Sequence, residues 1–390
     1  MTSEIQGKLA RLVDYLKQDP SNLRLLGDAL AMAVEIGDLL HGLPLIEHME
    51  QHSIKEPHLY AHATSLLLQA GDYAKAAAYG EYALASGVTH PAVIFNAAFG
   101  HFYNDAYEAA TALLEQLTRD PACAMAALLL HVRALDHLER NEEAEPLAAQ
   151  AVEREPENPE ALGLLALQQF ENDNNPGALQ MAHEALARDP NQLDALIACG
   201  SAHFEQGSIE AARKTWRHTV EAYPTCGRAW GGLALVEFNE LEFDQAVEHL
   251  HLAVQYMPDH IGTWHVLAWI HILRAESELA RAALGKAYAL DRNYGETHGG
   301  IAACDALDGK TEEARQGIRR AFRLNPDCRA ACYAQMLLLR NEGKPEEGKQ
   351  VFRDMLARTA PSGADTGLAL AEKWLASHQA KQRQNPPGQH

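Results

Sequence analysis

Apolar positions along this chain fall into two helical patterns that alternate and then recur. Between Gly227 and His260, Trp230, Leu233, Ala234 and Glu237 stand at i, i+3, i+4 and i+7, the spacing of one face of an α-helix. Leu241 and Glu242 interrupt it, and a second pattern follows with Ala246, Leu250 and Ala253 on its inward side. Pro258 ends that pattern, because proline lacks the amide hydrogen the helical ladder needs. The stretch therefore predicts a hairpin of two helices, Arg228 to about Asn239 and Phe243 to about Tyr256. Ala246 and Ala253 are small where the two helices have to come close, so larger side chains there would overpack.

The hairpin pattern keeps a fixed period. Ala144, Ala178, Ala212, Ala246, Ala280 and Ala314 are spaced 34 residues apart, and Pro156, Pro190, Pro224, Pro258 and Pro326 keep the same beat. A period of that size marks a repeat architecture, in which a unit cannot bury its apolar face alone and stacks on its neighbours. Laid over the whole chain, the period places units near 23, 57, 90, 125, 159, 193, 227, 261, 295 and 329. The expected organisation is a leading helix over 1–22, degenerate repeats over 23–124, regular repeats over 125–328 and a divergent repeat over 329–361. A capping helix over 362–380 and a disordered tail over 381–390 complete it. In the early units Gly37-Asp38, Gly71-Asp72 and Asn104-Asp105 read as the turns within hairpins, with unit lengths that wander by a residue or two.

These residues resemble the tetratricopeptide repeat, whose pattern runs Trp, Leu, Gly, Tyr, then Ala, Phe, Ala, then Pro. One unit reads Leu196, Cys199, Gly200, His203, Ala212, Trp216, Thr219 and Pro224 at those positions, and another reads Trp264, Leu267, Ala268, His271, Ala280, Leu284 and Ala287. The chain departs from the pattern where glycine is mostly alanine and where tyrosine becomes His203, Glu237, His271 and Asp305. The resemblance implies an all-α fold, a right-handed α-solenoid of about ten stacked hairpins with end-capping helices. It also implies a concave groove lined by the first helix of each unit. Carrying the family's groove positions onto the C-terminal units gives Arg228, Leu235, Phe238, Asn239, His265, Trp269, Ile272, Leu273, Tyr333 and Leu337 as a protein-binding set. Trp269, Phe238 and Tyr333 are the expected anchors, since aromatics dominate binding hot spots. The lysine, asparagine and arginine clamp with which some family members hold a C-terminal carboxylate has no counterpart in this set.

Gly231-Gly232 and Gly299-Gly300 interrupt predicted helix interiors at equivalent places. Each glycine there costs about 1 kcal/mol relative to alanine, so something needs the room, either a bound segment or a neighbouring helix.

Composition adds limits. A net charge of −20 opposes the basic surface that nucleic acid requires. The charge is uneven: residues 101–200 carry 5 Lys+Arg against 18 Asp+Glu, and residues 301–390 carry 14 against 11. The acidic middle could attract a basic segment or simply be a solvated face. Six cysteines without a C-x-x-C suit reduced thiols. The N-terminus, Met1-Thr2-Ser3-Glu4, has no signal-peptide pattern, and the apolar run Ala122 to Leu130 falls short of the roughly 20 residues a bilayer span needs. A cytoplasmic protein without membrane insertion is expected.

Candidate chemistry is sparse. His249 and His251 point to different sides of a helix, a poor chelate, and no metal is expected. Cys328 and Cys332 are one turn apart near a helix start, where a dipole can favour a thiolate, although small packing residues fit equally. Arg315, Arg319 and Arg323 form a stripe on a second helix, open to an acidic partner or to solvent. No nucleophile elbow, phosphate loop, dinucleotide fingerprint or zinc-protease motif occurs, so neither an enzyme nor a cofactor is expected. The functional expectation is a scaffold or adaptor that binds a peptide or helix of another protein in its groove. Two alternatives stand beside it, a chaperone that shields an apolar client segment and a homo-oligomer assembled through the same groove.

Overall fold

The structure, a computed structural model, describes residues 2–358. The expected capping helix and tail lie outside the described residues. Among the described residues there is no strand, and no helix is long and apolar enough to cross a membrane.

The chain divides into two compact units, Met1–Ala198 and Cys199–His390. The first holds α1 (Thr2–Gln18), α2 (Leu23–Ile36), α3 (Leu39–Gln51), α4 (Pro57–Gln69), α5 (Tyr73–Ala85) and α6 (Pro91–Phe102). It continues with α7 (Tyr107–Thr118), α8 (Met125–His137), α9 (Asn141–Arg154), α10 (Pro159–Glu171) and α11 (Asn175–Arg188). The boundary falls within α12 (Leu193–Glu205). The second unit goes on with α13 (Ile209–Ala222), α14 (Gly227–Asn239), α15 (Phe243–Tyr256), α16 (Ile261–Leu273) and α17 (Ser277–Leu290). It ends, among the described residues, with α18 (Gly295–Leu307), α19 (Thr311–Leu324), α20 (Arg329–Asn341) and α21 (Pro345–Arg358). Within each unit the helices after α1 pair as hairpins, and each hairpin stacks on the next.

The first helices begin at Leu23, Pro57, Pro91, Met125, Pro159, Leu193, Gly227, Ile261, Gly295 and Arg329, each 34 residues after the one before. The early units therefore do not wander: α6 starts at Pro91, one residue beyond the expected 90. The reason is visible at the turns. One residue per hairpin takes the left-handed conformation, at Gly37, Gly71, Asp105, Glu139, Asp173, Gly207, Leu241, Ala275, Gly309 and Gly343, again 34 apart. That residue closes the first helix and aims the chain into the second.

Glycine adopts this conformation without steric cost, but Leu241 at φ 63° and Ala275 at φ 59° bring a Cβ against a carbonyl oxygen. The cost is roughly 1–2 kcal/mol per residue. Ala275→Gly is therefore expected to stabilise the chain by about 1 kcal/mol, seen as a higher urea midpoint; an unchanged midpoint would contradict it.

The small-residue series is longer than the six alanines suggest. Gly42, Ala76 and Ala110 precede it and Gly348 follows it, and every member is buried. A Cβ on Gly42 would sit 3.3 Å from the Cβ of Ala33 in the same hairpin and 3.0 Å from the methyls of Leu66 in the next. The close crossing between the helices of a hairpin thus extends to both ends of the described stack. Where the tetratricopeptide pattern has tyrosine, paired polar groups link the helices instead. Glu237, 2% exposed, accepts from His249 Nδ1 at 2.7 Å, His271 Nδ1 donates to Glu276 at 2.7 Å, and Arg281 donates to Asp305 at 2.8 Å. A buried carboxylate is tolerable only with such a partner.

Candidate functional site

In the second unit the ten expected binding residues separate into two groups. Arg228, Leu235, Phe238, Asn239, Trp269 and Leu273 are partly exposed along α14 and α16. His265, Ile272, Tyr333 and Leu337 are 8%, 2%, 6% and 1% exposed, so they belong to the core and offer nothing to a partner. His265 Nε2 meets Thr297 Oγ1 at 2.9 Å, which ties α16 to α18. Tyr333 of α20 meets Trp269 of α16 edge to face, with ring centroids 5.2 Å apart. These two helices belong to repeats separated by a third. Their rings touch because the intervening α18 presents Gly299, Ala303 and Ala306 instead of bulk. Trp269, Phe238 and Leu273 in turn pack against the same core with part of their surface left in water.

The glycine pairs serve this packing. A Cβ on Gly299 would lie 2.5 Å from the backbone nitrogen of Ala331 and 2.8 Å from the Cβ of Ala330, so α18 and α20 are in backbone contact there. A Cβ on Gly300 would lie 2.8 Å from a Leu284 methyl, and one on Gly232 would run into the Trp216 indole. Gly231 has only the Cβ of Ala253 nearby, at 3.9 Å.

Of the other candidates, His249 is the partner of buried Glu237 described above. Cys328 caps α20, its sulfur 3.5 Å from the carbonyl oxygen of Gly295 and 3.4 Å from the amide of Ala331. Burial, with Glu296 beside it, pushes this thiol up to about 12, so no thiolate is favoured despite the helix start. Arg315 bonds Glu312 and Glu342, whereas Arg319 and Arg323 are exposed.

The first unit carries a surface that the sequence reading passed over. On α6 and the residue that caps its C-terminus, Phe95, Phe99 and Tyr103 stand at i, i+4 and i+8 and form a stripe; the first two are partly buried and Tyr103 is 50% exposed. Other rings extend it. Tyr73 stacks on Tyr103 at 5.0 Å, Phe99 lies 4.5 Å and Phe102 5.1 Å from it, and Tyr107 stacks on His137 at 4.2 Å with the planes 2° apart. The result is an aromatic ridge from the middle of α6 to its turn, reaching α5, α7 and the end of α8. Asn96 donates to Ser65 at 2.9 Å, holding α6 against α4. Further along the unit, Arg133 of α8 reaches across α10 to Asp194 of α12, at 2.9 and 3.1 Å, and bonds Glu160 on the way at 3.0 Å. Gly163 of α10 leaves the room under this bridge, beside Gln192. A small residue in the middle repeat again lets its two neighbours meet.

Two family models, each described as tetratricopeptide repeat, match residues 129–192 and 169–236. No curated protein matches the chain. Among solved structures, the human IFIT1 dimer with m7Gppp-AAAA aligns at 14% identity over 91% of this chain and 95% of that one, with a TM-score of 0.55. Pseudomonas aeruginosa PilF aligns at 17% identity over 56% of this chain and 97% of its own, with a TM-score of 0.47. Repeat period, hairpin geometry and matched segments agree: the chain is a tetratricopeptide-repeat protein.

Proposed function

We propose that the chain is a non-catalytic, cytoplasmic scaffold that holds a segment of another protein against the first-helix wall of its N-terminal unit. The observation that carries this reading is the aromatic ridge centred on Tyr103. Tyr103 is half in water with the partly exposed rings of Tyr73 and Phe99 against it, and large aromatics are the residue type that anchors interfaces. Protein is the preferred partner class over nucleic acid. The IFIT1 structures carry a capped oligonucleotide, but a chain with a net charge of −20 meets phosphates unfavourably.

The test compares proteins co-purified from cells by the wild-type chain and by a Phe99→Leu, Tyr103→Leu variant with an unchanged circular dichroism spectrum. The variant is expected to lose the specific partner, with affinity lower by roughly tenfold or more, which corresponds to about 1.4 kcal/mol or more of contact. Retention of the same partner in the same amount would refute the placement.

A further inference from the structure

We infer that the ridge takes a lysine or arginine side chain of a basic partner segment, its cation seated against Tyr103 and beside the carboxylates that follow it. This rests on the scaffold reading above and adds the chemistry of the ligand. Three rings, Tyr73, Phe99 and Phe102, converge on Tyr103 within 5.1 Å, and Tyr103 keeps half its surface in water. Aromatic faces carry negative potential, so a cluster with an open side attracts a cation.

The electrostatics around the cluster point the same way. Asp105 follows two residues after Tyr103 and accepts the Tyr107 hydroxyl at 2.8 Å; burial and this carboxylate hold the phenol neutral, its pKa raised to about 12. Glu108, one residue after Tyr107, is exposed, as is Glu139, two residues after the His137 that stacks on Tyr107; both lie in a stretch, residues 101–200, with 18 acidic against 5 basic residues. Among the described residues no cation of the protein forms an ion pair with Asp105, Glu108 or Glu139. Arg119 bonds Glu115, Arg133 bonds Glu160 and Asp194, and Arg140 bonds Glu143 through both arms of its guanidinium. Each arginine between 101 and 140 is thus already committed to a carboxylate. An external cation can gain ring contact and charge contact at once, whereas a neutral apolar segment would gain only the first.

The test uses the full chain and a fluorescein-labelled peptide of arginines alternating with glycines, read by anisotropy in 150 mM salt. A citrulline version keeps its shape without the charge. The arginine peptide is expected to bind and the citrulline peptide to bind roughly tenfold or more weakly. Tyr103→Leu, which leaves every protein charge in place, is expected to weaken the arginine peptide by about tenfold, and Asp105→Asn by a few-fold. Equal affinity for Tyr103→Leu and wild type would mean that the acidic surface binds polycations diffusely, and the inference falls. If instead ridge variants lose the native partner while the citrulline peptide binds as well as the arginine one, the scaffold reading stands and the cationic ligand is wrong. If ridge variants lose nothing in either assay, both fall.

Discussion

Trp216→Ala is expected to destabilise the Cys199–His390 unit by about 3–5 kcal/mol, the upper range for truncating a buried aromatic. Trp216 is 2% exposed and projects from α13 between two glycines, Gly200 of α12 and Gly232 of α14. A Cβ on Gly200 would lie 2.6 Å from the indole, and one on Gly232 would collide with it outright. Two helix interiors thus each give up about 1 kcal/mol of propensity to admit one ring. Removing the ring leaves a slot walled by backbone, which cannot be refilled by rotation of neighbouring side chains. Trp216→Phe should cost much less, because it keeps most of the ring and deletes an indole N–H that is buried without a partner among the described residues. The decisive control is a sign reversal. Gly232→Ala should destabilise the wild type and yet stabilise Trp216→Ala by about 1 kcal/mol, since the new methyl then meets empty space and improves the helix. Urea unfolding followed by circular dichroism reads all three, and a loss below about 1 kcal/mol for Trp216→Ala would break the argument.

Periodicity made the hairpins legible because it depends only on local rules: helical spacing, a small residue at the crossing, a left-handed residue at the turn. The alanine series, the turns at Gly37, Gly71 and Asp105 and the first-helix starts all follow from these. The surface was harder to read, for a physical reason. Whether a first-helix side chain faces solvent depends on how closely the next first helices approach, and that is set by residues one and two repeats away. Ile272 and Leu337 occupy groove positions by register, but the thin α18 between their helices draws the wall together and buries them. The ridge on α6 was legible in principle, as Phe95, Phe99 and Tyr103 share a stripe by simple counting. The groove register was carried only onto the C-terminal units, and a start at 90 instead of 91 would have rotated it by one residue, about 100°, onto Ile94 and Ala98 in place of Phe95 and Phe99. Substitution of the tyrosine position by Glu237, His271 and Asp305 gave no pattern either, because the partners lie at unrelated places: His249 in the following helix, Glu276 in the turn and Arg281 in the preceding helix.

Curvature set by small residues makes a second strong expectation, that two glycines in equivalent helices respond to alanine with opposite signs. Gly299→Ala should cost roughly 3 kcal/mol, at the upper end of overpacking, because the added methyl meets the backbone of Ala330 and Ala331 and no side chain can move aside. The helices α18 and α20 would have to separate. That separation pulls Tyr333 away from Trp269, whose rings are 5.2 Å apart only across this thin layer. Increased exposure of Trp269 should accompany the lost stability, visible as a red shift in fluorescence that is absent when Trp269 is first replaced by phenylalanine. Gly231→Ala, one position before the glycine that faces Trp216, has its nearest neighbour at 3.9 Å and should instead stabilise by about 1 kcal/mol through helix propensity alone. Equal effects at Gly231 and Gly299 would show that the glycines act on the helix backbone itself, and the account of the close approach would fail with them. Opposite signs would tie the contact between Trp269 and Tyr333 to a single close approach of α18 and α20.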